Sequence, residues 1–250
     1  VKRVFFDLEF YAYRHCAAAV ECMDWGDGDW CDVFRHGEAM ANLRQQVIAL
    51  LTKFPRPEYL VVFCRGQGTN FRKTVLPEYK ANRKKRRPPG NYTKFLAEAN
   101  SMGRQLGCDV WRHPGIEGDD IIGLYLQEGD VVVSGDKDMR TLAGAHLLPD
   151  GTVEMVSEFQ ANRKLYEQIL TGDTSDGYKG CPKYGEVAAR KALAECHTEQ
   201  SMWEKVLECY LKSGLDEDFA LAQARCARIL RTGEYDLKAQ TPVLWNPPVT

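Results

Sequence analysis

The 250-residue chain is predicted to be an α/β protein with a mainly parallel central sheet, on three observations. Short apolar runs, Val4-Phe5-Phe6, Tyr59-Leu60-Val61-Val62-Phe63 and Asp130-Val131-Val132-Val133, are bounded by acids, glycine or polar residues, the pattern of strands buried on both faces. Stretches with helical periodicity lie between them. After about Leu170 the strand signals fade and only helical segments remain. Alternating strands and helices imply a parallel sheet covered by its own crossovers.

The elements follow in order. The first strand ends at Asp7. Glu38 to Phe54 puts Ala39, Leu43, Val47, Leu50 and Leu51 on one helical face, and Pro55 and Pro57 end it. Tyr92 to Leu106 repeats the pattern with Phe95, Leu96, Ala99, Met102 and Leu106, and Cys108-Asp109-Val110-Trp111 is a weaker strand. Val187–Cys196, Met202–Leu211 and Asp216–Leu230 read as helices, and Trp245-Asn246-Pro247-Pro248 as an irregular tail. The expected division is an α/β unit over 1–165, with a basic arm at about 70–95, and a helical unit over 166–250.

A net charge of −2 does not announce a nucleic-acid partner, but its distribution does. Arg72, Lys73, Lys80, Arg83, Lys84, Lys85, Arg86, Arg87 and Lys94 stand against the single acid Glu78, while acids dominate 21–32 and 117–138. Nine cysteines without a Cys-x-x-Cys pair argue for reduced thiols over a zinc site or a disulfide framework. No apolar run approaches the length of a membrane span, and Asp7 and Glu9 interrupt the N-terminal run too early for a leader.

Four acidic groups stand out: Asp7; Glu117, Asp119 and Asp120; Asp136 and Asp138; Asp173 and Asp176. In an open α/β sheet ligands gather beyond the carboxyl ends of the strands, where Asp7 and the Asp136/Asp138 pair would converge. Crowded carboxylates raise one another's pKa unless cations sit among them, and oxygen-only ligands suit Mg²⁺ or Mn²⁺. Two such ions, about 3.5–4 Å apart, can activate water and neutralise a phosphate. Each group also has a plainer reading. Asp119 and Asp120 can cap the following helix, and the Asp136 and Asp173 groups can be solvated turns.

In the arm, Arg72, Lys80 and Arg83 can contact phosphates, and Phe71 or Tyr79 can stack on a base. The Lys84–Arg87 run reads more simply as solvated charge. Thr171 to Gly185 is glycine-rich and leads straight into a helix, exposing backbone N–H groups suited to phosphate.

These pieces, in this order, resemble the 5′ nuclease (flap endonuclease) superfamily, most closely the 5′-to-3′ exonucleases of short-tailed bacteriophages. The match runs through Asp7 with Tyr13-Arg14, Phe71-Arg72 with Pro77–Arg83, Glu117-Gly118-Asp119-Asp120, Ser134–Asp138, Gly172–Tyr178, and Ala227–Leu230 with Glu234-Tyr235, nearly the whole chain. The resemblance implies a PIN-like nuclease core, a helical arch and a C-terminal helical subdomain with a helix-hairpin. It implies a metal-dependent 5′-to-3′ exonuclease or flap endonuclease acting on DNA, and on RNA–DNA hybrid, in phage replication, primer removal or host DNA breakdown.

Asp7, Glu117 and Asp119 would hold one Mg²⁺ or Mn²⁺. Asp136, Asp138 and Asp176 would hold the other, with Asp119 or Asp120 bridging and Asp173 in support. Lys80 and Arg83 match catalytic arch cations, and Tyr79 a stacking position. Lys179, Gly180, Lys183 and Gly185 match duplex contacts, with K⁺ on hairpin carbonyls. A monomer in the cytoplasm (of a host, for a viral protein), working beside replication proteins, completes the expectation.

One departure matters. The family usually has another aspartate at the end of the strand equivalent to 59–63, and here Phe63 to Gly68 contain no acid. Either Glu9 compensates, which requires the first strand to run on past Asp7, or the protein is a structure-specific DNA binder with weakened or lost cleavage. The acidic stretch from Cys22 to Asp32 is expected to be a surface excursion.

Overall fold

A computed structural model describes residues 1–24, 26, 29–82 and 90–248. The central sheet has six strands in the order β5-β4-β1-β6-β7-β8. They are β1 Lys2–Asp7, β4 Tyr59–Cys64, β5 Asp109–Trp111, β6 Val131–Val133, β7 Gly144–Leu147 and β8 Val153–Val156. All neighbours pair in parallel except β7 with β8. Asp7 stands opposite Cys64, and Phe6 opposite both Phe63 and Val133.

Side chains alternate across a strand, so each central strand feeds two cores. Val4, Phe6, Val61, Phe63 and Val133 face α1 (Leu8–Ala18), α2 (His36–Lys53) and α4 (Tyr92–Gln105). Phe5, Val62, Cys64 and Val132 face α5 (Gly118–Tyr125) together with Ile229 and Leu230. This double burial explains why these runs lack polar alternation in the sequence.

A third core joins α6 (Glu158–Thr171), α7 (Glu186–Ala192), α8 (Glu199–Lys212) and α9 (Glu217–Ala227) through Leu165, Tyr166, Ile169, Trp203, Tyr210 and Ala224. The division expected at 165 falls inside α6, and the returning segment at Ile229–Tyr235 packs on the sheet core.

The elements not expected include α1, the short α3 (Arg72–Val75), α6, and the last two strands of the sheet, β7 and the antiparallel edge strand β8. The acidic excursion is an antiparallel hairpin of β2 (Val20–Asp24) and β3 (Trp30–Phe34), with Glu21, Asp24, Asp29 and Asp32 exposed. All nine cysteines are free thiols, seven of them buried. No described helix is long and apolar enough to cross a membrane.

Candidate metal centre and nucleic-acid interface

Strand β1 passes into α1 without a linker. Asp7 ends the strand and caps the helix, accepting from the Phe10 N–H at 3.1 Å while Ser134 Oγ donates to its other oxygen at 2.8 Å. Burial is the main reason its carboxyl is pushed up to about 7; the charges of Asp136 and Glu9 add to it. Ser134, just past β6, also accepts from the Asp136 N–H at 3.0 Å. Asp136 caps the 3-10 turn Lys137–Thr141 through the Asp138 N–H at 3.0 Å. Asp138 is raised to about 6, by burial first and then by Asp136.

Gln168 of α6 holds Asp138, donating from Nε2 to Oδ1 at 2.5 Å. Sequence reading missed this positioning residue. Its signal was a polar side chain on the apolar face that Leu165 and Ile169 define.

Glu117, Asp119 and Asp120 come within 4.8 Å of one another at the start of α5. Asp119 is raised well above the ordinary carboxylate range by burial and by the charges of Asp120 and Glu117. Glu117 is lowered in spite of its burial, because Lys80 and Arg72 face it.

Asp120 has a different role from the metal bridge expected of it. It is fully buried, and its oxygens accept from Arg72 Nη1 and Nη2 at 2.7 Å each, from Glu117 N at 3.0 Å and from Leu230 N at 3.0 Å. With its acceptor positions so engaged, it acts as helix cap and strut.

Arg72 is likewise not the phosphate contact expected. It is 1% exposed and also donates to the carbonyls of Cys226 at 3.0 Å and Arg228 at 2.6 Å. Tyr79 is no stacking platform, being 2% exposed, with its hydroxyl 2.9 Å from Glu117 Oε2 and 3.1 Å from Asp176 Oδ2. It bridges the α5 acids to the loop after α6.

That loop closes on itself. Asp173 accepts from Ser175 N and Oγ at 2.6 Å each and from Asp176 N at 3.3 Å, the turn role open to it. In spite of partial burial, the Ser175 bonds and Lys137, 3.7 Å away, hold it below the usual range. Asp176 docks onto the base of the basic arm, its carbonyl accepting from Lys80 N at 2.6 Å. Lys80 Nζ pairs with both Glu117 and Asp176.

The site therefore brings together Asp7, Glu117, Asp119, Asp136, Asp138, Asp176 and Lys80. Its donors are carboxylate oxygens, the set that hard divalent cations take. The Lys80 ammonium already lies between two of them. The residues fit a divalent-metal centre. Arg83, the other expected arch cation, lies outside the described residues, as do Lys84 to Arg87.

In the hairpin before α7, Lys179 and Lys183 are exposed, and Gly185 caps the helix. Gly180 is not a phosphate contact, because it is buried and its N–H donates to Gln223 Oε1 at 3.0 Å. Its backbone packs on Gly172, where an added Cβ would meet Lys179 C at 2.4 Å.

Lys183 has φ 69° and Lys80 φ 54°, two of three non-glycine residues in left-handed backbone among the described residues. That conformation costs an L residue about 1–2 kcal/mol. Lys183→Gly is expected to leave stability unchanged or raise it by about 1 kcal/mol, because glycine's extra freedom when unfolded offsets part of the relief. Duplex affinity should fall and its log–log salt slope should shallow by about 0.9. Unchanged affinity in a salt titration would remove Lys183 from the interface.

A mainly parallel sheet whose carboxyl edge gathers carboxylates around Lys80, with a hairpin that exposes Lys179 and Lys183, has the makings of a phosphodiester-processing enzyme. Residues 6–172 match the family described as 5′-3′ exonuclease, N-terminal resolvase-like domain, and the chain belongs to that family. It is 25% identical to the exodeoxyribonuclease of Enterobacteria phage T3, with 96% of this chain and 91% of that protein covered. It is 24% identical to the exonuclease of Escherichia phage T7, covering 96% and 92%. The fold matches a solved structure of the T5 5′-exonuclease with divalent metal ions (zinc) bound, at TM-score 0.67 and 14% identity over 91% of this chain and 89% of that one.

Proposed function

We propose that this chain is a 5′-to-3′ exonuclease and flap endonuclease that hydrolyses DNA phosphodiesters with two divalent ions, Mg²⁺ or Mn²⁺. The observation that carries this reading is the convergence of Asp7, Glu117, Asp119, Asp136, Asp138 and Asp176, from four separate segments, around one sheet edge. Asp7, Glu117 and Asp119 would hold one ion, and Asp136, Asp138 and Asp176 the other. Bound there, such ions supply an activated water and neutralise charge on the phosphate.

The chain's own groups do the rest. Ser134, Gln168 and Tyr79 orient the carboxylates. Lys80 places a positive charge where the α5 acids meet Asp176, suited to hold a phosphate between them. The hairpin before α7 would grip duplex phosphates through Lys179, Lys183 and Gly185, with K⁺ on its carbonyls. RNA–DNA hybrid is a second substrate of this reading, and the protein acts as a monomer beside replication proteins in the cytoplasm.

The test is a 5′-labelled duplex or flap incubated with Mg²⁺, Mn²⁺ or EDTA. Short 5′ products are expected only with metal. Binding without products under all three conditions would favour the non-cleaving reading. Proton linkage adds a second readout. Asp7 ordinarily ionises near 3.8 and here near 7, so the metal-free folded state holds its proton through that window. The folded state binds more protons than the unfolded one, so Asp7 disfavours folding increasingly as pH rises from about 4 to 7. Metal must displace that proton and those on Asp138 and Asp119. Mn²⁺ affinity, measured by calorimetry, should rise with pH from about 5 to 7. A flat profile would contradict it.

A further inference from the structure

Glu9 belongs to none of the acidic groups assigned above, yet the fold carries its carboxylate into the same space. Because α1 starts at Leu8, directly after Asp7, Glu9 sits in the first helical turn at the carboxyl edge of the sheet. Its Oε2 accepts from the Gly66 N–H at 3.3 Å, just beyond the end of β4, and the Gly118 N–H also faces the carboxylate. Tyr92 fixes the backbone by donating its hydroxyl to the Glu9 carbonyl at 3.0 Å.

The turn after β4 is packed too tightly to present a side chain of its own there. A Cβ on Gly66 would lie 3.0 Å from the Ile116 carbonyl and 3.6 Å from Glu9 Oε2. A Cβ on Gly118 would lie 3.0 Å from the Cys64 carbonyl. Two backbones in contact leave the position above β4 to a side chain reaching across from α1, and Glu9 reaches it. The neighbouring charges are Asp7, Glu117 and Arg65.

We propose that Glu9, held over the β4 turn by Gly66, is a carboxylate ligand of the divalent ion that Asp7 and Glu117 share. The proposal rests on reading the site as a divalent-metal centre. A carboxylate beside Asp7 and Glu117 would add its negative charge to those already offered to one cation. A residue serving only to brace the turn would need its oxygen and not its charge.

Glu9→Gln separates the two roles, because the amide keeps an acceptor for the Gly66 N–H and loses the charge. Mn²⁺ binding is measured by calorimetry and electron paramagnetic resonance on wild type and Glu9→Gln, with melting in EDTA alongside. The expected result is unchanged or higher melting in EDTA, with one Mn²⁺ bound on the order of tenfold or more weaker and the other unaffected. Equal Mn²⁺ affinities at both sites in the two proteins would overturn the role of Glu9 and leave the metal centre standing. Wild type that binds no Mn²⁺ would overturn both. If Glu9→Gln melts markedly lower in EDTA, Glu9→Asp decides: Mn²⁺ binding closer to wild type than that of Glu9→Gln supports ligation, and binding no better than that of Glu9→Gln overturns it.

Discussion

Replacing Asp136 with asparagine is expected to slow DNA cleavage by about a thousandfold or more, the several kcal/mol that a metal-held phosphate supplies in the transition state. DNA affinity, measured without cleavage in EDTA, should stay within a few-fold of wild type. The substitution separates charge from structure. The amide oxygen of the asparagine can still accept from the Asp138 N–H, so the 3-10 turn keeps its cap, and Asp136 is exposed, so no packing is lost. What disappears is one negative charge beside Asp7 and Asp138, which adds to the burial that raises both carboxyls. Asp7 and Asp138 should then ionise more readily in the metal-free protein, in the direction opposite to loss of folding. Cleavage by Asp136→Asn at the wild-type rate, under saturating Mg²⁺, would refute the assignment of the second ion.

The second large effect is on stability. Arg72→Ala is expected to destabilise the protein by about 3–5 kcal/mol, because removing one partner of a buried ion pair leaves the other charged in a dry interior. In a chain of this size that lowers the melting temperature by about 10 °C. Asp120, with no exposed surface, would lose its two-point partner, and the carbonyls of Cys226 and Arg228 would lose their donor. The pair joins the base of the basic arm, the α5 acids and the C-terminal segment. Arg72→Met combined with Asp120→Leu should recover only the part due to the unpaired charge, because the carbonyls of Cys226 and Arg228 and the N–H groups of Glu117 and Leu230 stay without their side-chain partners. If Asp120 is a strut, that double variant keeps metal-dependent cleavage within about tenfold of wild type. A double variant that is stable, folded and wholly inactive would return Asp120 to the list of metal ligands.

The elements that were legible in the sequence are those whose burial is uniform. Val4–Phe6, Tyr59–Phe63 and Val131–Val133 are apolar throughout because helices cover both sheet faces. Elements with one wet face were harder to see. Helix α1 follows Asp7, the last residue of the strand, without a linker, and β8 exposes Val153 and Met155 on either side of Glu154. The site divided along similar lines. Acids at strand ends were visible as motifs, but their roles depend on what lies across from them. Asp120 and Asp119 are adjacent in sequence and were indistinguishable there. The helix turns Asp120 toward Arg72 and Leu230, while Asp119 stays partly exposed beside Glu117.

Glu9 shows the same limit. The strand does not run on past Asp7, so the condition set for its participation fails, yet the first turn of α1 brings its carboxylate to the end of β4 by another route. Arg72 and Tyr79 were read as surface groups because cations and aromatics cluster around them. Arg72 is buried against Cys226 and Arg228, more than a hundred residues away, and Tyr79 in the helical core with its hydroxyl on Glu117 and Asp176.

The sequence by itself determined the parallel sheet, the acidic chemistry at its carboxyl edge and the family. Periodicity and motif order are local properties, and they survive without coordinates. Only the tertiary structure decided which carboxylates face one another and which are consumed as struts, caps and turns. A carboxylate's role is set by the charges and donors within a few ångströms of it, and in this chain most of those come from distant segments.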